Sequence, residues 1–200
     1  MSTNLTERFE EALQYATRLH AGQERKKTGR PYIGHLLGVT SLVLQNGGDE
    51  EQAIAALLHD AVEDQGGRPR LEEIHAKYGE RVARIVEGCT DSFEQDPTQK
   101  PPWRERKEEY VARVRHEPAD VLLVSAADKL YNVREILLDY RAHGETVWER
   151  FKGKREGTLW YYRALVEAFR AASLPAALAQ IVDELDRAVT ELEGLAGRSG

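Results

Sequence analysis

Cysteine is all but missing: Cys89 is the single one in 200 residues. That excludes an intrachain disulfide and any zinc site built on cysteines, and it fits a reducing cytoplasm. Long apolar runs are missing too. No stretch approaches the roughly 20 residues needed to span a bilayer. The opening segment, 1–10, is polar and acidic with no apolar signal core, so neither a membrane span nor a leader is expected. Basic excess is also lacking, with a formal net charge of -6. General nucleic-acid binders draw their affinity from neutralised phosphates and are usually basic, so that class is disfavoured. A small anionic ligand remains compatible, because a local basic patch can act inside an acidic protein. Internal repeats and low-complexity tracts are absent as well. The length suits one domain, 1–200, with a sizeable core. Oligomeric state is not written in these features.

What is present is helical periodicity. Phe9, Leu13, Ala16 and Leu19 recur at three and four residues, with Asn4 and Glu7 as the expected N-terminal capping pair. A loop from Gly22 to Pro31 carries Arg25, Lys26 and Lys27. An apolar stretch from Ile33 to Leu44 stops at Asn46-Gly47-Gly48. Asp49 with Gln52 reads as a capping box opening the helix through Ala53–Leu58, and Gly66-Gly67 and Pro69 close that region. Two short helices follow, one through Leu71, Ile74 and Tyr78, the other through Val82, Ile85, Val86 and Cys89. The longest loop runs from Asp91 to Pro102, then a charged helix from Trp103 to Arg115. Val121 to Leu138 begins with β-branched residues, but Leu123, Ala127, Leu130, Val133 and Leu137 keep helical spacing. Two amphipathic helices finish the chain, over 158–195. The fold class is all-α, a helical bundle.

Ala56-Leu57-Leu58-His59-Asp60 ends an apolar helix on two good metal ligands. An aspartate buried there without a partner is costly, and a divalent cation removes that cost. His35 and Asp128 are the candidates to complete the shell, since Asp128 also follows an apolar run. Two imidazoles and two carboxylates suit Mn²⁺, Fe²⁺ or Zn²⁺ better than Ca²⁺, which prefers oxygen alone. Glu63 and Asp64 continue the same segment, with Glu63 four residues after His59 on the same helical face. One of these carboxylates could orient or deprotonate water. Asn132, four residues after Asp128, can face the same place. Taken singly, each residue has a plainer reading. His35 alone suits a structural histidine, His59-Asp60 a polar helix end, and Lys26-Lys27 a solvated loop. His20, His75, His116 and His143 read as structural or solvated, and Trp160-Tyr161-Tyr162 as core. The combined pattern is the specific signal.

That pattern resembles the HD phosphohydrolase superfamily, named for its His-Asp doublet. More narrowly it resembles the hydrolase domain of RelA/SpoT-type proteins, which act on the alarmones ppGpp and pppGpp. The resemblance covers about 13–140. It rests on His20-Ala-Gly-Gln23, on the run from Lys26 through Pro31-Tyr32-Ile33-Gly34-His35, on Ala55 through Asp64, on Tyr78-Gly79, and on Asp128-Lys-Leu-Tyr-Asn132. It implies an HD-domain bundle that hydrolyses a small anionic nucleotide, releasing pyrophosphate from the ribose 3′ position. It implies Mn²⁺ on His35, His59, Asp60 and Asp128, catalysis by Glu63 and Asp64, a substrate contact from Asn132, and a guanine pocket lined by Lys26, Lys27 and Thr28. The chain departs from the family's pattern in having Lys26-Lys27 where Arg-Lys is usual, and Ser125 where a lysine usually precedes the metal aspartate. The 148–162 segment, with Gly153 and Trp160-Tyr-Tyr, also differs from the usual alarmone enzyme. These departures bear on substrate recognition and leave the metal chemistry intact.

Overall fold

Apolar residues at helical spacing leave this chain one way to hide them, which is to stack helices. The computed structural model describes residues 4–26, 28–172 and 174–197, the side chain of Ala177 aside, and among these there is no strand. In order they form α1 (Glu7–Leu19), α2 (Ile33–Gln45), α3 (Glu50–Leu58), α4 (Ala61–Gln65), α5 (Gly67–Tyr78), α6 (Glu80–Cys89), α7 (Trp103–Val114) and α8 (Ala119–His143). A 3₁₀ segment, Gly144–Arg150, then leads to α9 (Lys154–Ala171) and α10 (Ala176–Gly197).

The middle of the bundle is α3. Ala53 to Leu58 are completely buried, as expected of a helix that is apolar on every face. Helices α1, α2, α6 and α8 pack around it. Its start is fixed by the expected capping box: the Asp49 carboxylate accepts from the Gln52 amide and the Gln52 side chain from the Asp49 amide, each at 3.0 Å. Helix α8 keeps its helical form through the β-branched start, burying Val121, Leu122, Leu123 and Val124. It packs against α2 and α3 on the core side and against α10 further along its length.

Several expected boundaries shift. The N-cap of α1 is Thr6, whose hydroxyl accepts from the Arg8 amide at 3.3 Å, rather than Asn4 paired with Glu7. Glu7 is already the first helical residue, so the cap must be the residue before it. Gly66 and Gly67 do not merely stop a helix. Gly67 opens α5, with Pro69 inside its first turn, where a missing amide costs nothing. The apolar helix breaks at His59-Asp60, so Glu63 stands on the separate five-residue α4 and not one turn along the same helix as His59. No helix among the described residues is long and apolar enough to cross a membrane.

Candidate metal centre

Three elements converge just above α3. His35 comes from the first turn of α2, His59 and Asp60 from the α3–α4 break, and Asp128 from the middle of α8. The Nε2 atoms of His35 and His59 lie 3.3 Å apart. Asp60 Oδ2 lies 3.4 Å from the first and 3.0 Å from the second, and Asp128 Oδ1 lies 3.3 and 3.5 Å from them. The donor atoms of His35, His59 and Asp128 fall within 4.8 Å of one another, a group able to hold a metal ion. Both histidines and Asp128 are buried, whereas the Asp60 side chain is 23% exposed and forms the rim.

The surrounding bonds set the chemistry of each donor. His59 Nδ1 sits 2.8 Å from the Ala56 carbonyl oxygen, which can only accept. That nitrogen therefore carries a proton, and Nε2 presents its lone pair to the centre. Asp128 Oδ1 accepts from the Asn132 amide and Oδ2 from the Lys129 ammonium, both at 2.5 Å. Tyr32 donates its hydroxyl to Asp60 Oδ2 at 2.6 Å. Burial disfavours the charge on Asp60, yet the neighbouring His59 and His35 hold its carboxyl well below the usual range. Burial likewise opposes ionised Asp128, and Lys129 with the two histidines overcomes it. Burial opposes a charged His59, and Asp60 and Asp128 outweigh that too, raising the ring's pKa well above its ordinary value. Two imidazole nitrogens packed against two carboxylates need a proton or a cation between them. The mixed nitrogen and oxygen donor set fits a divalent transition ion.

A polar row on α8 ties this centre to the α1–α2 loop. Asn132 donates to Asp128 and accepts from Arg25 Nη2 at 2.5 Å. Arg25 also grips Glu135 at 2.6 Å, and its guanidinium lies 5.5 Å from the Tyr32 ring centre. One turn further, Asp139 takes Arg30 at 2.6 Å and Arg150 at 2.7 Å. A backbone bridge between Glu24 and Pro31 closes the loop. Arg25 is thus the basic residue brought to Asn132. Lys26 is exposed, with its charge near Asp64. Thr28 turns its hydroxyl onto the Arg25 carbonyl at 3.0 Å. Lys27 lies outside the described residues.

Glu63 and Asp64 diverge. Asp64 accepts from Gln23 Nε2 at 2.8 Å, and burial with the nearby Asp60 charge raises its pKa. Burial, followed by the charge of Asp91, pushes the Glu63 carboxyl up to about 7. His20 is a wall of the site that its sequence context did not reveal. It is buried, stacked on Tyr32 at 5.1 Å, with Nδ1 2.8 Å from Gln23 Oε1. Its one signal was the short His20-Ala-Gly-Gln23 run. Of the three expected core residues, Tyr161 and Tyr162 are buried and Trp160 packs partly buried against the core.

An all-helical bundle with a His-Asp doublet at a helix break, completed by a histidine and an aspartate from two other helices, defines a class of metal-centred helical domains. The family model described as HD domain matches residues 12–159, and the chain belongs to that family. It is 40% identical over 129 residues to human guanosine-3′,5′-bis(diphosphate) 3′-pyrophosphohydrolase MESH1, covering 63% of this chain and 68% of that protein. An Aquifex aeolicus guanosine-3′,5′-bis(diphosphate) 3′-pyrophosphohydrolase is 45% identical over 84 residues, 42% of this chain and 12% of that longer protein. Among solved structures, a metazoan ortholog of SpoT that hydrolyses ppGpp superposes with a TM-score of 0.73 at 28% identity, over 92% of this chain and 97% of that one.

Proposed function

We propose that this chain is a divalent-metal-dependent phosphohydrolase acting on guanosine 3′,5′-bis(diphosphate), releasing pyrophosphate from the ribose 3′ position. The observation that carries this reading is the Asp128–Asn132–Arg25 connection. It joins a four-donor centre to a basic loop by direct hydrogen bonds, in a chain whose relatives bear that activity in their names.

His35, His59, Asp60 and Asp128 would hold the cation, with Mn²⁺ as the proposed ion. A divalent cation supplies Lewis acidity, drawing charge from a phosphate oxygen and making water easier to deprotonate. The chain's own groups do the rest. Arg25 and Lys26 attract the anion. Asn132, fixed at both ends, keeps the loop in register with Asp128. Glu63 takes one proton from the attacking water, whose oxygen bonds to phosphorus as the bond to the ribose 3′ oxygen breaks; that proton returns through solvent to the departing oxygen, which ends as a hydroxyl and leaves Glu63 ionised again. Asp64, at the mouth and held by Gln23, would face the substrate side.

Ser125 favours a second reading, in which another phosphorylated nucleotide is preferred. Its hydroxyl is paired with Tyr110 at 2.7 Å, so no cation is supplied from the position where the alarmone hydrolases usually place a lysine. The deciding experiment is product analysis with Mn²⁺ across a nucleotide panel. Pyrophosphate from the guanosine bis(diphosphate) supports the first reading. Orthophosphate, or faster turnover of another nucleotide, supports the second. No turnover at all rejects both.

A further inference from the structure

Gln23, in the loop between α1 and α2, is held by its main chain and used at both ends of its side chain. Its backbone amide donates to the His20 carbonyl at 3.0 Å, and its own carbonyl accepts from the Tyr32 amide at 2.9 Å. The root of the side chain is thereby fixed. At the tip, Nε2 donates to Asp64 Oδ2 at 2.8 Å. Oε1 lies 2.8 Å from His20 Nδ1 and 2.5 Å from Gln65 Nε2. One primary amide thus touches the cap of α1 and two successive residues of α4. Asp64 needs such a hold, because the five-residue α4 is little more than one turn. Among the described residues, Gln23 is the one side chain that hydrogen-bonds to its carboxylate.

These partners fix the polarity of the amide. A carboxylate can only accept, so the nitrogen faces Asp64 and the oxygen faces His20 and Gln65. Gln65 Nε2 fills one lone pair of that oxygen, and His20 must bring a proton to the other. His20 is therefore the tautomer with hydrogen on Nδ1, which leaves the lone pair on Nε2. The ring is 3% exposed and stacked on Tyr32, and its Nε2 is buried with no hydrogen-bond partner among the described residues. Tyr32 in turn donates to Asp60 at the centre. A side chain kept only to knot the loop to α4 would be served by Gln65 alone. The donor spent on Asp64 and the acceptor spent on His20 are what such a knot does not explain.

We propose that Gln23 is a positioning residue: its amide aims the Asp64 carboxylate toward the substrate side and, through the same group, sets His20 in the tautomer whose Nε2 can accept a hydrogen bond. This rests on the reading of Asp64 as the substrate-side carboxylate.

The test joins a double-mutant cycle, in the Mn²⁺-loaded protein with guanosine 3′,5′-bis(diphosphate), to a measurement of the tautomer. Gln23→Met keeps the length of the side chain and removes both polar ends. It lowers kcat/KM about tenfold to a hundredfold, the scale of a misplacement of roughly 1 Å, with metal content near wild type. In the Asp64→Ala background the same change costs at most about two- to threefold, since no carboxylate is left to aim. An equal loss in both backgrounds, or none in either, makes Gln23 merely structural and overturns the proposal. Wild-type kcat/KM in Asp64→Ala rejects the reading of Asp64 and takes the proposal with it. Nitrogen-15 NMR of His20 in the Zn²⁺-loaded wild-type protein needs neither turnover nor a variant, and so covers an inactive enzyme or a misfolded Gln23→Met. It is recorded at about pH 8, above the ordinary imidazole value, where the ring is neutral. Hydrogen on Nδ1 supports the proposal. Hydrogen on Nε2 turns the Gln23 amide around, sets its oxygen against Asp64, and overturns it.

Discussion

Gly38 and Tyr131 meet where α2 crosses α8: a Cβ built on Gly38 would fall 1.9 Å from the Tyr131 ring. Each lies three residues beyond a donor of its own helix, His35 and Asp128. The missing side chain thus lets the two helices close until their donors meet. Gly38→Ala should push them apart and destabilise the protein by about 1–3 kcal/mol, the usual cost of overpacking. Metal affinity should fall with it. Thermal melts and a Mn²⁺ titration check this. Wild-type values in both would show that the crossing does not depend on Gly38.

The candidate metal ligands could be named together from the sequence because a buried carboxylate is costly without a partner, and the structure brings His35, His59 and Asp128 into one group able to hold an ion. The His59-Asp60 doublet after six buried apolar residues is the clearest case. The fold class was legible from spacing, even at Val121, where β-branching argued otherwise. What was not legible depends on distance along the chain. Arg25 reaches Asn132 across 107 positions, and nothing local marks it apart from Lys26 and Lys27. The helix break at His59 was hidden because its backbone angles remain nearly helical. Asp91 carried no local signal, since its partners stand fifteen and sixteen residues away on α7.

Metal binding should be visible as stability. A cation at a hundred times its Kd stabilises the folded state by about 2.7 kcal/mol. Adding Mn²⁺ to chelator-treated protein should therefore raise Tm. Asp60→Ala, at the rim, should abolish both the rise and the turnover while leaving helical circular dichroism intact. A wild-type Tm indifferent to Mn²⁺, Fe²⁺ and Zn²⁺ would refute the centre.

Arg25 and Lys26 should separate kinetically. Arg25 is half-buried and locked to Glu135 and Asn132, whereas Lys26 is exposed. Arg25→Ala should raise KM about tenfold or more, equivalent to roughly 1.4 kcal/mol, and Lys26→Ala by much less. Matching KM values for the two variants would reduce Arg25 to a general electrostatic contributor.

Glu63 makes a prediction about stability against pH. Burial and the Asp91 charge push its carboxyl up to about 7 in the folded protein, against an ordinary value of 4.5, while Lys107 works the other way. Between those values the folded state holds a proton that the unfolded chain has released. Stability must then fall as pH rises from about 4.5 to 7. Glu63→Gln removes this contribution, so the metal-free variant should lose less Tm than wild type between pH 5 and 7.5. Parallel losses would mean that Glu63 titrates normally.

The polar row on α8 has a consequence for how such a protein changes over time. Asp128, Asn132, Glu135 and Asp139 follow one another along about 16 Å of a single rigid helix, at 1.5 Å per residue. The first belongs to the donor cluster, and among the described residues the last two pair with Arg25 and Arg30 of the loop and with its brace, Arg150. Mutation at the outer rungs can shift the loop without touching the inner one, so on the proposed function it would alter which molecules the loop admits. Under that function, selection would act on ligand choice and on bond-breaking chemistry as separate inherited traits, though both are written on the same helix.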